Sequence, residues 1–170
     1  MGKLAASLFG NSVALGVDTE TAVNASLKLV DHGHVTVAKG VVKASAIAEA
    51  PIDGTAFADA ETSATFSGAD IVLITTKEKS GGEDGNAYDI SVLKFKAIDF
   101  EYWNGETIVI QVDKSLKHEH LHRDIDGNVA TVDWDARALA ENTFVGVDAF
   151  ALAVEDQLSI STVLISAAIG

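Results

Sequence analysis

The densest set of side chains able to do chemistry is His118-Glu119-His120-Leu121-His122. On a strand, alternate residues point to one side, so the three imidazoles would line a single face. Neutral imidazole nitrogens so placed can bind zinc, nickel or copper. The flanking Lys117, Glu119 and Arg123 give the segment the character of a solvated strand end or loop, and no metal site is assigned to it. Next along the chain, Asp124, Asp126 and Asn128 set oxygen ligands at alternate positions around Gly127, as the first half of a calcium loop does. A full loop needs a late bidentate Glu, and that place falls near Asp135 instead. An Asp-Gly turn accounts for the same residues. His32 and His34 repeat the alternate spacing with no partners nearby in sequence.

Other chemistries find less support. Ser80-Gly81-Gly82-Glu83-Asp84-Gly85-Asn86 is glycine-rich, but no helix follows it and no Lys closes it. A phosphate cradle needs helix amides and a positive field, and Glu83 and Asp84 supply the opposite sign. No Ser stands in a nucleophile-elbow motif. No carboxylate pair stands out from the acidic background. The chain has no cysteine, which excludes disulfides, thiolate nucleophiles and cysteine-based metal centres. No catalytic, cofactor-binding or metal-binding residue is therefore assigned, no cofactor is expected, and the chain reads as a non-enzyme. Trp103 and Trp134 read as core or edge packing.

The 170 residues suit one domain, and 48% hydrophobic content suits a packed core. Small aliphatic residues dominate, with 6% aromatics and one Pro, which implies thin, closely packed layers. Acidic residues outnumber basic ones by 25 to 12, for a formal charge of -13. That balance argues against nucleic-acid and anionic-membrane partners. Like charge also repels neighbouring copies, so an assembly must rely on apolar burial, strand pairing or local charge pairing. No apolar run has the length of a membrane span. The N-terminal stretch from Lys3 is interrupted at Gly10-Asn11-Ser12, too early for a secretory leader, and Ala6 spoils a myristoylation pattern. The expectation is an intracellular product, or one released without a cleaved leader.

The elements that would carry these residues are mostly strands. Asp18-Thr19-Glu20-Thr21 reads as a helix start before Ala22, Val23 and Ala25, with an extended arm as the competing reading for residues 1–26. Alternation begins at Leu27 and resumes after a turn at His32-Gly33. Gly40, at an apparent phase slip into Val41-Val42, suggests a bulge. Pro51 and Asp53-Gly54 mark a turn, and strands are expected over 55–67, 71–76 and 88–97. Asn104-Gly105 signals a hairpin turn leading to a strand over 107–112. Asp133 to Glu141 has a capping residue and Ala, Leu and Arg content that predict a helix. Alternation returns over 149–165.

The segment Ile71-Val-Leu-Ile-Thr-Thr-Lys-Glu-Lys-Ser-Gly-Gly-Glu-Asp-Gly-Asn86, followed by Ile90-Ser91-Val92, resembles a pattern in bacteriophage tail sheath proteins and related virion proteins. There a strand ending in Thr-Ala-Lys enters a Gly-x-x-Gly-Asn loop and returns as a second strand. Here Thr76-Lys77 keeps the strand end without the Ala, and Gly82 to Asn86 keeps the loop. The resemblance spans roughly residues 66–165, including a Thr131-Val132-Asp133 helix start. The first 65 residues and the His-rich segment have no counterpart in it. It implies a virion structural protein and brings no catalytic residues.

The expected fold is α+β and mainly β: an antiparallel sheet or sandwich with one or two short helices. Residues 1–26 are expected as an N-terminal arm or short helix, and residues 27–170 as a single β-rich domain. The expected function is a non-enzymatic subunit of a viral particle, as a tail tube, tail-associated or capsid-decorating protein. It would self-assemble into a homo-oligomer, meet other virion proteins, and reside in virions assembled in the host cytoplasm. Two other readings stand beside it. One is an extracellular, calcium-stabilised adhesin or filament module using Asp124, Asp126 and Asn128. The other is a small metal-binding protein using His118, His120 and His122.

Overall fold

Long runs in which every second residue is small or aliphatic and the next is polar fold as strands, because a strand's period of two sorts them onto opposite faces. The computed structural model describes residues 3–52, 54–116 and 125–170. Its ten strands are β1 (Leu4–Leu15), β2 (Thr19–Asp31), β3 (Val35–Ala48), β4 (Phe57–Ser67), β5 (Ile71–Gly81), β6 (Ala87–Phe100), β7 (Ile108–Ser115), β8 (Asn128–Leu139), β9 (Thr143–Val154) and β10 (Leu158–Ile169). They form a four-stranded sheet in the order β4-β1-β10-β9 and a six-stranded sheet in the order β7-β5-β6-β3-β2-β8. Pairing is antiparallel except for β2 with β8 and β5 with β7. The two sheets face each other as a sandwich, and one apolar core draws residues from both.

The mainly-β expectation holds, but no described residue is helical. The segment from Asp133 lies in β8, and the helix start at Asp18 leads into β2. In both cases tertiary packing overrides helix propensity. Val132, Ala136 and Ala138 fall at alternate positions and pack on the core, a period of two that wins over the Ala-rich composition. Residues 4–15, read within an arm or helix, form the inner strand β1, paired on both sides. Asn104-Gly105 does not close a two-residue hairpin. It lies in the 101–107 connection, which passes over β5 to place β7 beside it in parallel.

The interior is graded along the strands. At the end nearest Leu4 it holds Leu4, Leu8, Leu27, Leu29, Phe95 and Ile165, all buried. At the other end it narrows to Ala14, Ala46 and Ala48. Buried and partly buried hydroxyls fill in nearby. Thr21 Oγ1 and Ser161 Oγ lie 2.9 Å apart, and Thr62 Oγ1 and Ser91 Oγ 2.7 Å apart across the sheets.

Gly40 corrects another expectation. The β2–β3–β6 register runs through Leu27, Gly40 and Phe95 without a slip, so there is no bulge there. The glycine exists because the Phe95 ring lies across it. A Cβ at Gly40 would sit 2.1 Å from Phe95 Cε1 and 2.8 Å from Leu8 Cδ1. The Phe95 ring is itself held edge-on against Phe66, with centroids 4.5 Å apart. Gly10 in the facing sheet makes similar room for Val23 and Val42.

The ring has little freedom to move aside, so Gly40→Ala is expected to destabilise the fold by about 1–3 kcal/mol, the usual cost of overpacking. Urea unfolding followed by circular dichroism measures it. A change within about 0.5 kcal/mol, as at an ordinary surface site, would show that the sheets are not this closely apposed.

Candidate functional site

His118, His120, His122 and Asp124 lie outside the described residues. The described remainder of that region is a turn: Gly127 has φ of 81° and its N–H donates to Asp18 Oδ1 at 2.8 Å. Asn128 Nδ2 donates to Thr19 Oγ1 at 2.6 Å, and Asn128 Oδ1 accepts the Asp156 N–H at 2.8 Å. The Asn128 side chain thus fastens the start of β8 to β2 through its nitrogen and to the β9–β10 turn through its oxygen, while Asp126 is exposed. His34 pairs with Glu101, a partner 67 residues away that sequence spacing could not reveal. Among the described residues no group of three or more His, Cys, Asp or Glu could hold a metal ion.

The glycine-rich loop 82–86 is a tight reversal between β5 and β6. Asn86 N–H donates to Glu83 O at 3.0 Å, and Gly85 takes φ of 82°. Gly82 is needed for closeness, since a Cβ there would lie 1.9 Å from Asn86 O. The loop also braces its neighbour. Asn86 Oδ1 accepts the Ala50 N–H, and Gly85 O the Ala56 N–H, each at 2.8 Å.

The features with functional potential are surfaces. Residues on the outward side of the four-stranded sheet include Phe9, Val13 and Leu15 from β1, Phe57 from β4, Phe144, Phe150 and Leu152 from β9, and Ile160 and Leu164 from β10. Phe57, Phe144 and Phe150 are each more than half exposed. Four of the chain's seven phenylalanines therefore lie on this outward face. The charges on it, Asp59, Glu61 and Asp148, lie on the edge strands. A second apolar feature is β7, exposed at all eight positions, with Ile108, Val109, Ile110 and Val112 on a sheet edge. Among the described residues no strand pairs with the outer edge of β7, and an apolar edge strand offers backbone donors and acceptors to another chain.

The outward side of the six-stranded sheet is different again. Lys28, Lys39, Lys43, Lys77, Lys79, Lys94, Lys96, Lys114 and Arg137 all fall on it. Among the described residues the face thus holds nine Lys and Arg against three carboxylates, Glu20, Asp133 and Asp135. Over the described residues it carries +6, in a chain whose total is -13. Arg137, Lys28, Lys39 and Lys96 make one cross-strand row. The neighbouring row, Leu139, Val30, Val37, Ile98, Ile71 and Ile108, is entirely apolar. Between them lies a depression of about 290 Å³ lined by Lys28, Val30, His32, Val37, Lys39, Lys96 and Leu139. The sequence carried a signal for this face. Lys77 and Lys79, Lys94 and Lys96, and Lys39 and Lys43 have even spacings, so each pair shares a side of its strand.

The loop end farthest from that depression is acidic. The described residues of loops 16–18, 49–56, 82–86, 125–127 and 155–157 hold Asp18, Glu49, Glu83, Asp84, Asp126, Glu155 and Asp156, and no Lys or Arg. At the opposite end, burial and then the nearby charge of Asp70 push the Asp99 carboxyl above its ordinary range. Asp99 Oδ2 has no hydrogen-bond partner among the described residues. Glu101 lies below its ordinary range because of the hydrogen bond with His34.

Comparison with known protein families, with curated proteins and with solved structures found no match.

Asp99 makes stability depend on pH in a definite direction. A carboxyl whose folded pKa exceeds its unfolded value binds its proton more tightly in the folded state. Its destabilisation is therefore present at neutral pH and fades as pH falls through the folded pKa. Asp99→Asn is expected to raise the melting temperature at neutral pH, with the gain shrinking as pH drops through the carboxylate range. Calorimetry across that range checks the sign; a gain that grows in acid would contradict it.

Proposed function

We propose that this protein is a non-enzymatic structural subunit that self-associates into an ordered assembly, and that the assembly is part of a viral particle. The observation that carries the first part is the set of exposed large apolar side chains, Leu15, Phe57, Phe144, Phe150, Leu152 and Leu164, on the outward side of the four-stranded sheet. Large exposed apolar patches on soluble proteins mark interaction sites. Four strands about 4.8 Å apart and about 40 Å long present roughly 760 Å² in projection, apolar and polar positions of the face together. A stable interface buries about 800 Å² per partner. A second copy is the occupant of matching size and polarity. Like-charged copies cannot meet at random, and this face holds few charges, so association there avoids most of the repulsion. The open edge of β7 adds a means of extending the assembly by strand addition.

The viral attribution rests on the strand–loop–strand over residues 71–92 and its resemblance to tail sheath and related virion proteins. The braced 82–86 reversal suits a subunit that must present a fixed loop to neighbours. In this reading the chain needs no cofactor, and its partners are further copies and other virion proteins.

Size-exclusion chromatography with light scattering and negative-stain microscopy are expected to show wild-type oligomers or ordered particles. Phe150→Asp with Leu164→Asp, both already exposed, is expected to stay folded and to give smaller species than wild type, with association through this sheet face lost. A wild-type chain that stays monomeric at high concentration and forms no particles would overturn the proposal.

A further inference from the structure

We propose that successive copies also join head to face: the acidic loop end of one copy, led by Ile52, seats in the basic depression on the six-stranded sheet of the next. This contact rests on the reading of the chain as an assembling subunit, and it names the partner of a surface that reading leaves unused.

Both halves of the contact are present on one chain. Ile52 is fully exposed, at 103% of its reference surface, at the tip of a turn closed by Gly54 N–H donating to Pro51 O at 3.0 Å. An aliphatic side chain held wholly in water gains nothing for the fold of its own copy. Its loop is not a loose tip, because the Ala50 and Ala56 amides fasten it on both sides to the 82–86 reversal. The exposed Glu83 and Asp84 therefore flank it in a fixed arrangement.

The receptor has the complementary design. Val30, Val37 and Leu139 give the depression an apolar part, and Lys28, Lys39 and Lys96 give it a positive rim. An aliphatic tip flanked by carboxylates meets both features at once. The alternatives match less of what is present. Two copies of the basic face cannot stack on each other, since a two-fold contact would oppose like charges. A free polyanion would meet the lysines but leave the apolar rows and Ile52 in water.

The two surfaces lie at opposite ends of strands about 40 Å long. A contact between different patches is heterologous, so repeating it generates a ring if the rotation closes and a filament if it does not. Opposed charge also resolves how chains of -13 can approach: an acidic loop end of one copy is steered to the basic face of another.

Sedimentation velocity at low salt tests this with variants on exposed loops and sheet faces, each checked for unchanged circular dichroism. Lys39→Glu with Lys96→Glu, Glu83→Lys with Asp84→Lys, and Ile52→Asp are each expected to weaken association by about tenfold or more. An equimolar mixture of the two charge-reversed proteins restores complementarity in both directions and is expected to recover association. Charge-reversed proteins that assemble like wild type, or a mixture that does not recover, would overturn the head-to-face contact. If association is then lost only in the Phe150→Asp, Leu164→Asp protein, the assembling-subunit reading survives without it. A wild-type monomer at every concentration overturns both readings, and heparin binding by such a monomer would assign the basic face to a polyanion instead.

Discussion

A strand of eleven to fourteen residues sends half its side chains to each side, and a two-layer sandwich can cover only one of those sides. Everything distinctive here follows from what the chain places on the other one. Inside, small residues prevail. Ala14, Ala46 and Ala48 line one end, and Gly10 and Gly40 let side chains from the facing layer come close. A thin interior of that kind has little room for rings, and of the seven phenylalanines Phe66 and Phe95 are packed within it. Phe9, Phe57, Phe144 and Phe150 stand outward on one sheet. Their placement is a cost to a monomer and a stabilising contribution to a complex.

Charge is sorted by the same geometry. The total of -13 describes no part of the surface well. One outward face carries four phenylalanines, the other is basic, and both loop ends are acidic, one with Asp18, Glu49, Glu83, Asp84, Asp126, Glu155 and Asp156 and the other with Asp31, Asp70, Glu101, Glu106 and Glu141. An isotropic acidic particle would only repel its copies. A particle with three chemically distinct surfaces can discriminate among orientations, because like faces are penalised and unlike ones are favoured.

Much of the strand content was legible in the sequence, since alternation at Leu27–Val37, Tyr88–Ala97 and Phe150–Ile165 is strong. The errors arose where local signals competed with that period. The Ala-rich stretch after Asp133 has good helix propensity, yet Val132, Ala136 and Ala138 share the inward side of β8. Gly40 was legible as special but for the wrong reason, because a glycine under a distant ring looks in sequence like a glycine at a bulge. Asn104-Gly105 signalled a reversal, but only the sheet order shows that β7 lands beyond β5. The Lys spacings were readable in principle. Their convergence needed the registers that bring Lys28, Lys39 and Lys96 from three strands into one row. The His118–His122 motif, the most chemical feature of the sequence, lies outside the described residues, and the surfaces proposed for assembly carry no motif at all.

The central claim is that the phenylalanine face is covered by another copy in solution. Hydroxyl-radical footprinting read by mass spectrometry over a concentration series tests it at the residues concerned. Phe57, Phe144 and Phe150 are predicted to be oxidised readily in dilute protein and to become protected as concentration rises, while the buried Phe95 stays protected throughout. Equal oxidation of Phe57, Phe144 and Phe150 at all concentrations would contradict the account.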